Sequence, residues 1–262
     1  MTISPTPSHS TTSASMTPSN PGLTVRHGAR TDVGRIRRDN EDSLAIGPGI
    51  YVVADGLGGH NAGDIASRIA VSTILAGAKG GIASPEALGA LVQEANRAIH
   101  DSSMANPAQR GMATTVTALA PLGNSRVMVA NVGDSRTSLY RAGDFIRVSK
   151  DHSLVQDMID RGEIDPDSGW RHPEGNVLTR ALGIEPTVEV DVFVLDVAPK
   201  DRFLLCTDGL IDEVSEEDTA EILWRHTDPQ ECADALVARA LDNGGSDNVT
   251  VIVVDVVADP KS

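Results

Sequence analysis

Aromatic residues are scarce in this sequence. Only 3% of its 262 residues are Phe, Trp or Tyr, whereas 40% are hydrophobic. Ring stacking therefore cannot fill the interior, and the core must be built from Val, Ile, Leu and Ala. That composition suits β-branched strands packed against alanine-rich helices. A chain of this length can bury a substantial core, and we expect one folded domain over residues 23–258.

Positive charge is also in short supply. The chain has 22 Lys and Arg against 37 Asp and Glu, for a net charge of −15. Binding to nucleic acid or to an anionic membrane needs clustered positive charge, so we expect neither partner. The sequence has no run of about 20 apolar residues and no secretory signal at its start. These absences predict a cytoplasmic protein whose partners include cations.

Cysteine is too sparse to form a metal site. Cys206 and Cys232 form no CxxC pair, and the seven histidines are scattered. No zinc site is predicted. Cys206 lies inside an apolar run, which favours a buried thiol in a reducing compartment.

Two segments have few apolar residues to pack. Residues 1–22 consist largely of Ser, Thr and Pro, and we predict a disordered tail there because they bury too little to offset the entropy of ordering. Residues 150–180 hold a short helical stretch followed by a polar segment with Pro and Gly. Long irregular segments inside a domain are usually functional or mobile, and we predict a mobile flap there.

The remaining pattern alternates strands and helices. Helices are predicted from about residue 62 to 77 and after N-caps at Ser84, Ser215 and Asp228. Strands are predicted at 23–26, 43–46, 51–54, about 113–120, 126–132, 136–141, 144–149, 188–197, 202–206 and 249–257. The run of strands from 113 to 149 is typical of an antiparallel meander.

Carboxylates stand at the edges of four predicted strands. They occur as Glu41-Asp42, Asp55-Gly56, Asp208-Gly209 and Asp247-Asn248. If strands of one sheet bring these ends together, the negative charges would repel strongly unless divalent cations neutralise them. Hard oxygen ligands suit Mg²⁺ or Mn²⁺, and two such ions about 4 Å apart can hold a hydroxide and clamp phosphate oxygens.

Six motifs in a fixed order identify a family. In chain order they are Arg37-x-x-Asn40-Glu41-Asp42, Val53-Ala-Asp55-Gly56-Leu-Gly58-Gly59-His60, Gly133-Asp134-Ser135-Arg136, Asp151-His152-Ser153, Leu204-Leu-Cys-Thr207-Asp208-Gly209-Leu210 and Ser246-Asp247-Asn248-Val249-Thr250. Each alone is weak evidence, but together they are highly specific. The chain, from about residue 24 to 257, resembles a bacterial metal-dependent protein serine/threonine phosphatase of the PP2C type.

The resemblance implies a fold and a reaction. The fold would be α+β, with two face-to-face antiparallel β-sheets flanked by helices on both sides. The reaction would be hydrolysis of phosphoserine and phosphothreonine by a metal-bridged hydroxide in a binuclear Mg²⁺ or Mn²⁺ centre. The partners would be phosphorylated proteins made by Ser/Thr kinases, and we expect the enzyme to be a monomer.

The resemblance also implies a ligand set for two core ions. Asp55 would bridge them, and the carbonyl of Gly56 would help to hold the first. Asp208 and Asp247 would bind the second.

Four further residues take roles from the same resemblance. Glu41 and Asp42 would act on metal-bound waters, and Arg37 would clamp the substrate phosphate through its planar guanidinium. Asp134 would bind a third, weaker ion and share Asp208 with it. The alternatives for single residues are a solvated charge at Arg37 and a simple turn at Asp134.

One expected group is missing from the motif. Members with a proposed general acid place a histidine directly after the Asp-Gly pair, whereas this chain has Leu57. His60 follows three residues later, where we expect it to cap or pack against the next helix rather than to donate a proton. The group that protonates the leaving oxygen is therefore left open.

Three rival interpretations fit the sequence less well. A haloacid-dehalogenase-type phosphatase needs an Asp two residues before Asp208, but Cys206 stands there. Residues 56–61 nearly match a dinucleotide fingerprint, but Asn61 replaces its last glycine. The remaining alternative is a non-catalytic PP2C-like domain that binds phosphoproteins, and the joint presence of Arg37, Asp55, Asp208 and Asp247 favours the catalytic interpretation.

Overall fold

The structure is a computed structural model that describes residues 23–58, 62–123, 125–165 and 172–258. The predictions for residues 1–22 and for His60 lie outside this range, as does part of the predicted flap. The strands are β1 Leu23–Asp32, β2 Ser43–Gly47, β3 Ile50–Ala54, β4 Gly56–Leu57, β5 Ala113–Thr114, β6 Val116–Leu122, β7 Arg126–Val132, β8 Arg136–Arg141, β9 Asp144–Arg147, β10 Asp191–Asp196, β11 Arg202–Cys206 and β12 Val249–Ala258. The α-helices are α1 Gly63–Gly77, α2 Pro85–Ala105, α3 Leu154–Asp160, α4 Asp208–Ile211, α5 Glu216–Arg225 and α6 Pro229–Asn243.

The strands form two antiparallel sheets. The first has the order β1-β12-β11-β8-β9, and the second has the order β10-β7-β6-β3-β2. The pair β4-β5 forms a small separate ladder. The long pairing of β1 with β12 runs from Leu23 opposite Ala258 to Asp32 opposite Val249, so β1 is longer than the predicted 23–26.

The two sheets pack face to face around an apolar layer. Its buried side chains come from both sheets: Tyr51, Val53, Leu119, Val127, Val129, Leu139, Phe203, Leu205, Ile252, Val254 and Val256. Alternation along the strands places these residues on the inner faces, because successive side chains of a strand point to opposite sides. As predicted from the composition, Val, Leu and Ile supply most of this layer.

Helices cover both outer faces. Helices α1 and α2 pack on the second sheet in a cluster that includes Ile74, Leu88 and Ile99. Helices α4, α5 and α6 pack on the first sheet in a cluster that includes Leu236 and Val253. The layers therefore follow the predicted order of helix, sheet, sheet and helix, and the α+β sandwich expected from the sequence is confirmed.

The predicted helix starts are correct. The Ser84 hydroxyl accepts from the backbone N–H of Ala87, and the Ser215 hydroxyl accepts from that of Asp218. The Asp228 carboxylate accepts from two backbone N–H groups at the start of α6. Each cap satisfies a donor that the first helical turn leaves without an intrahelical partner.

The predicted meander over residues 113–149 is wrong. Strands β6 and β7 pair in the second sheet, but β8 and β9 belong to the first. The chain changes sheets at Gly133, whose φ of +98° suits glycine and whose Cβ, if present, would lie 2.6 Å from Thr115 Cγ2. Strand periodicity reports which face is buried, not which sheet a strand joins, so the sequence pattern did not distinguish the two cases.

No helix in the described part of the chain is long and apolar enough to cross a membrane. The mobility predicted for residues 150–180 stays a prediction. The described parts of that segment contain α3 and a bridge between Ser153 and Leu178.

A buried ion pair ties the first sheet to its helical layer. Arg202 donates to both carboxylate oxygens of Asp255, at 2.5 and 2.9 Å, and both side chains are 9% exposed. The same guanidinium donates to the backbone carbonyls of Leu223, His226 and Thr227. Arg202 therefore satisfies carbonyls at the end of α5 as well as the carboxylate.

We expect Arg202→Met to lower the free energy of unfolding by about 3–5 kcal/mol, because the substitution leaves a buried carboxylate without its main partner. The matched control is Arg26→Met. Arg26 contacts the same carboxylate at 3.2 Å but is 55% exposed, so its loss is expected to change stability by at most about 1 kcal/mol. Urea unfolding of both variants measures the difference, and equal effects would contradict the assigned role of Arg202.

Candidate metal centre

Two of the carboxylate stretches meet at one end of the second sheet. Strand β2 begins directly after Asp42, and β3 ends directly before Asp55. Because the strands are antiparallel, with Ser43 opposite Ala54, both carboxylates lie at the same edge.

The other two stretches lie at the corresponding end of the first sheet. The backbone N–H of Thr207 donates to the carbonyl of Thr250 at 3.0 Å, which sets the end of β11 beside the start of β12. Asp208 follows this point and Asp247 precedes β12. The four stretches come from both sheets, and the cluster lies where the ends of the two sheets meet.

Asp55 and Asp208 interact directly across this junction. Burial raises the pKa of Asp55, and the charges of Asp208 and Asp42 raise it further. Burial also raises the pKa of Asp208, which Asp247 raises further. Without a cation, burial therefore favours the protonated form of both carboxyls.

Asp42 is the most enclosed of the group, with 8% exposure. Burial and, to a smaller extent, the charge of Asp208 raise its pKa to about 7, although hydrogen bonds from Thr250 and Thr207 oppose the increase. The Thr207 hydroxyl donates to Oδ2 of Asp42 at 2.9 Å. Thr207 therefore fixes the carboxylate of the second sheet from the first sheet.

Neutral groups hold the backbone at Asp55. Its N–H donates to the Thr115 hydroxyl at 2.9 Å. Its carbonyl accepts from the Thr115 N–H at 2.9 Å and from the Thr114 hydroxyl at 2.7 Å. The next residue, Gly56, donates to the carbonyl of Glu41 at 3.1 Å, and a Cβ there would lie 2.2 Å from the Gly63 carbonyl. Only glycine allows this close approach.

Asn248 organises the loop that carries Arg37 and Glu41. Its side-chain amide donates to the carbonyls of Val33 and Asp39, and its Oδ1 accepts from the backbone N–H of Glu41 at 2.8 Å. Burial raises the pKa of Glu41, with a further contribution from Asp64. Asn248 was part of a motif in the sequence, but the motif did not show this function.

Arg37 lies at the mouth of the cluster. Its guanidinium donates to Oδ2 of Asp247 at 2.6 Å, and its side chain is 52% exposed. The structure therefore places the predicted phosphate ligand beside the carboxylates and open to solvent. It also shows an ion pair with Asp247 that sequence analysis did not predict.

Asp134 and Asp212 lie near Asp208. All three line a cavity of about 580 Å³. Burial and Asp208 raise the pKa of Asp134 to about 8 and that of Asp212 to about 7. Sequence analysis missed Asp212, although its signal was present: it follows Asp208 by four residues, and its N–H donates to the Asp208 carbonyl at 2.9 Å, as in one helical turn.

The donor set fits a hard divalent cation. Oδ1 of Asp42 and Oδ1 of Asp208 are buried and have no hydrogen-bond partner. Among the described residues, no three His, Cys, Asp or Glu side chains form a group that could hold an ion unaided. Carboxylate oxygens are ligands that Mg²⁺ and Mn²⁺ prefer, and Mg²⁺ usually keeps several waters in its coordination shell.

A family model for protein phosphatase 2C matches residues 34–242, which include every carboxylate of the cluster except Asp247. The chain belongs to the protein phosphatase 2C family. It is 40% identical over 237 residues to the serine/threonine phosphatase stp of Listeria monocytogenes, covering 86% of this chain and 94% of the relative. It is 39% identical over 240 residues to the phosphatase PstP of Mycobacterium tuberculosis, covering 90% of this chain and 46% of that longer protein.

Solved phosphatase 2C structures share the fold. The catalytic domain of PstP in complex with two manganese ions matches with a TM-score of 0.82 and 38% identity, over 90% of this chain and 99% of that one. A Mycobacterium smegmatis phosphatase in complex with cacodylate matches with a TM-score of 0.81 and 35% identity, over 88% and 97%. These likenesses favour an enzyme over a non-catalytic binding domain and agree with the expected pair of Mn²⁺ or Mg²⁺ ions.

The raised carboxyl pKa values predict an unusual pH dependence. Asp42 and Asp134 titrate at about 7 and about 8 when folded, above the ordinary carboxyl value. The folded protein thus binds more protons than the unfolded chain between about pH 4 and 8, and its stability falls as pH rises through that window. In a chelator, we expect Tm to drop by several degrees from about pH 5.5 to about pH 8.

Saturating Mn²⁺ should flatten this slope, because the cation replaces the protons. Differential scanning fluorimetry with and without Mn²⁺ measures the effect. Asp42→Asn serves as the control, since it removes one of the titrating groups and should flatten the chelator curve in part. An equal change of Tm with pH for the wild type in chelator, the wild type in Mn²⁺ and Asp42→Asn in chelator would show that these carboxyls do not control stability.

Proposed function

We propose that this protein hydrolyses phosphoserine and phosphothreonine in phosphorylated proteins, in a reaction that depends on Mn²⁺ or Mg²⁺. The observation that carries the proposal is the cluster of carboxylates at one end of the sandwich, with buried oxygens of Asp42 and Asp208 left without partners. The exposed guanidinium of Arg37 stands next to it. Anionic oxygens for cations and a cation for phosphate are what phosphate ester hydrolysis requires.

The proposed ligands of the two core ions are the carboxylates of Asp55, Asp208 and Asp247 and the carbonyl of Gly56. When bound, the ions would activate a water molecule and neutralise charge on the phosphate. Protons on these carboxyls would leave as the cations bind, since ligands must be deprotonated. Thr115, Thr114 and Gly63 keep the Asp55-Gly56 backbone in place during this exchange.

Glu41 and Asp42 would orient water at the centre. Each has a raised pKa. Asn248 holds the backbone of Glu41. Because the pKa of Asp42 is raised to about 7, this carboxyl can accept and return a proton under working conditions. Thr207 fixes the position from which Asp42 does so.

Arg37 would bind the phosphate oxygens. A guanidinium presents several N–H donors, so the contact with Asp247 leaves others for the substrate. The ion pair also holds the guanidinium close to the place where the ions would bind. This arrangement positions the phosphate between Arg37 and the carboxylate cluster.

We further propose that Asp134 and Asp212, with Asp208, hold a third and weaker ion. All three line the cavity that extends past α3 toward residues 172–176. That cavity gives room for residues beside the phosphorylated side chain.

The opposing enzyme would be a Ser/Thr kinase, since a protein phosphatase requires a source of phosphoprotein. We place both in the cytoplasm, where ATP is available, and propose that the phosphatase acts as a monomer. Within the described residues, the cluster is assembled from one chain, which supports a site that needs no second copy.

Asp55→Ala and Asp208→Ala should each lower turnover of a phosphothreonine peptide by roughly 100-fold or more, because each removes a proposed ligand of the cations that would stabilise the transition state. Asp144→Ala is the matched control: this exposed aspartate at the start of β9 is far from the cluster in the fold and should leave turnover unchanged. Steady-state kinetics at saturating Mn²⁺ measures the effect. Undiminished activity after exhaustive chelation would contradict metal dependence, and phosphopeptide binding without any turnover would favour the non-catalytic alternative.

Arg37→Ala should raise KM for the phosphopeptide by about tenfold or more, because a charge-assisted hydrogen bond contributes about 1.5–3 kcal/mol. Arg37→Lys keeps the charge but not the planar guanidinium, so its KM should fall between those of the wild type and Arg37→Ala. Calorimetric titration with Mn²⁺ should show unweakened core-ion binding, since Asp247 loses only a competitor. A defect that additional Mn²⁺ rescues would instead make Arg37 a support for the ions.

A further inference from the structure

His152 lies at the centre of a buried contact network beside Asp134. The side chain is 6% exposed. The ring Nδ1 of His152 accepts a hydrogen bond from the backbone N–H of Gly133 at 3.1 Å, and the backbone N–H of His152 donates to the Gly133 carbonyl at 3.0 Å. The two residues therefore hold each other through a reciprocal pair of hydrogen bonds.

The other ring nitrogen faces the second sheet. Nε2 lies 3.2 Å from Oδ2 of Asp191 on β10 and 3.0 Å from the guanidinium of Arg180. Because Nδ1 accepts from an N–H, a neutral ring must carry its proton on Nε2, and that proton points to Asp191. Arg180 in turn donates to the other oxygen of Asp191 at 2.8 Å. Burial lowers the pKa of His152, against an opposing contribution from Asp191, which favours the neutral ring.

The backbone of His152 also holds the far end of the segment that follows it. The N–H of Thr179 donates to the His152 carbonyl at 2.9 Å, and the N–H of Leu154 donates to the carbonyl of Val177 at 2.8 Å. His152 thus makes three sets of contacts. It contacts Thr179 and Arg180 further along the chain, Asp191 on the edge strand of the second sheet, and Gly133 in the turn that carries Asp134.

The turn has little freedom to adjust by itself. Gly133 has a positive φ of 98°, and its Cα lies against Thr115. The Thr115 hydroxyl also bonds to the hydroxyl of Ser135 at 2.7 Å. Thr115 and Ser135 fix one side of the turn. The Gly133 carbonyl accepts from the His152 backbone N–H and from the Asn131 amide, and the Gly133 N–H donates to Nδ1, which is the contact that the His152 side chain supplies.

We propose that His152 is a positioning residue for Asp134, acting through the hydrogen bond from the Gly133 N–H to Nδ1, while the bond from Nε2 to Asp191 holds the ring in the required orientation. This inference rests on the proposed function, in which Asp134 holds the weaker third ion. Groups that orient metal ligands typically change metal affinity or activity by 10–100-fold when removed. The expected effect of His152 is therefore on the third ion and on turnover, and not on the two core ions.

Two amide substitutions separate the two ring nitrogens. In His152→Asn, the amide oxygen takes the place of Nδ1 and can accept from Gly133, but the side chain no longer reaches Asp191. In His152→Gln, the amide nitrogen can still reach Asp191, but nothing replaces Nδ1. The pair is closely matched in polarity, so a difference between the variants reports on the Gly133 contact.

We expect His152→Gln to weaken the low-affinity Mn²⁺ site by about tenfold or more and to lower kcat with little change in KM. His152→Asn should stay close to the wild type in both. Calorimetric titration measures the ion affinities, and the amide resonance of Gly133 in the metal-free protein should shift in His152→Gln but not in His152→Asn. Both variants should retain the two tight sites.

Three outcomes would overturn the proposal: equal defects in the two variants, a larger defect in His152→Asn, or an unshifted Gly133 amide in His152→Gln. If His152→Gln does not fold, Asp191→Ala releases the ring without touching Gly133 and should weaken the same site to a smaller degree, and an unchanged weak site would count against His152. Asp134→Asn tests the underlying assignment separately. If it leaves the weak site and turnover unchanged, the role of Asp134 is wrong, whereas a strong effect there with none in His152→Gln refutes only the positioning role.

Discussion

Mutual repulsion among buried carboxylates is the constraint on which the rest of this structure depends. Asp208 raises the pKa values of Asp42 and Asp55, and Asp42 raises that of Asp55 further. Asp208 also raises the pKa values of Asp134 and Asp212. A single sheet would have to carry all of this charge on adjacent strands. Because the cluster lies where two sheets end, each sheet carries only part of the negative charge. The apolar layer between the sheets holds their ends together.

Neutral hydrogen-bonding groups hold the charged ones in place. Thr207 links the ends of β11 and β12 and also binds Asp42 across the sheets. Thr115 bonds to the backbone of Asp55 and to Ser135 beside Asp134. Asn248 fixes the loop that carries Glu41. None of these groups competes strongly for a cation, so they can determine geometry without occupying the site.

The sequence predicted the parts that local rules control. The N-caps at Ser84, Ser215 and Asp228 follow from backbone donors of a first helical turn, and the placement of Asp55 at a strand end follows from the apolar run before it. The change of sheet at Gly133 could not be predicted in this way, since β7 and β8 have the same alternation in either sheet. The contacts of Asn248 with Val33 and Asp39 join residues more than 200 positions apart, and nothing in a local pattern reports them.

The ion pair between Arg37 and Asp247 shows how the site can be both charged and stable. The guanidinium of Arg37 neutralises the charge of Asp247 while remaining 52% exposed. Burial therefore does not prevent Arg37 from leaving that partner. The pair of Arg202 and Asp255 differs because both side chains are buried and Arg202 also donates to the backbone carbonyl of Leu223. An exposed pair can exchange partners at low energetic cost, whereas a buried one cannot. The difference in exposure therefore assigns Arg202 to the framework and leaves Arg37 available for a phosphate that arrives beside the carboxylates.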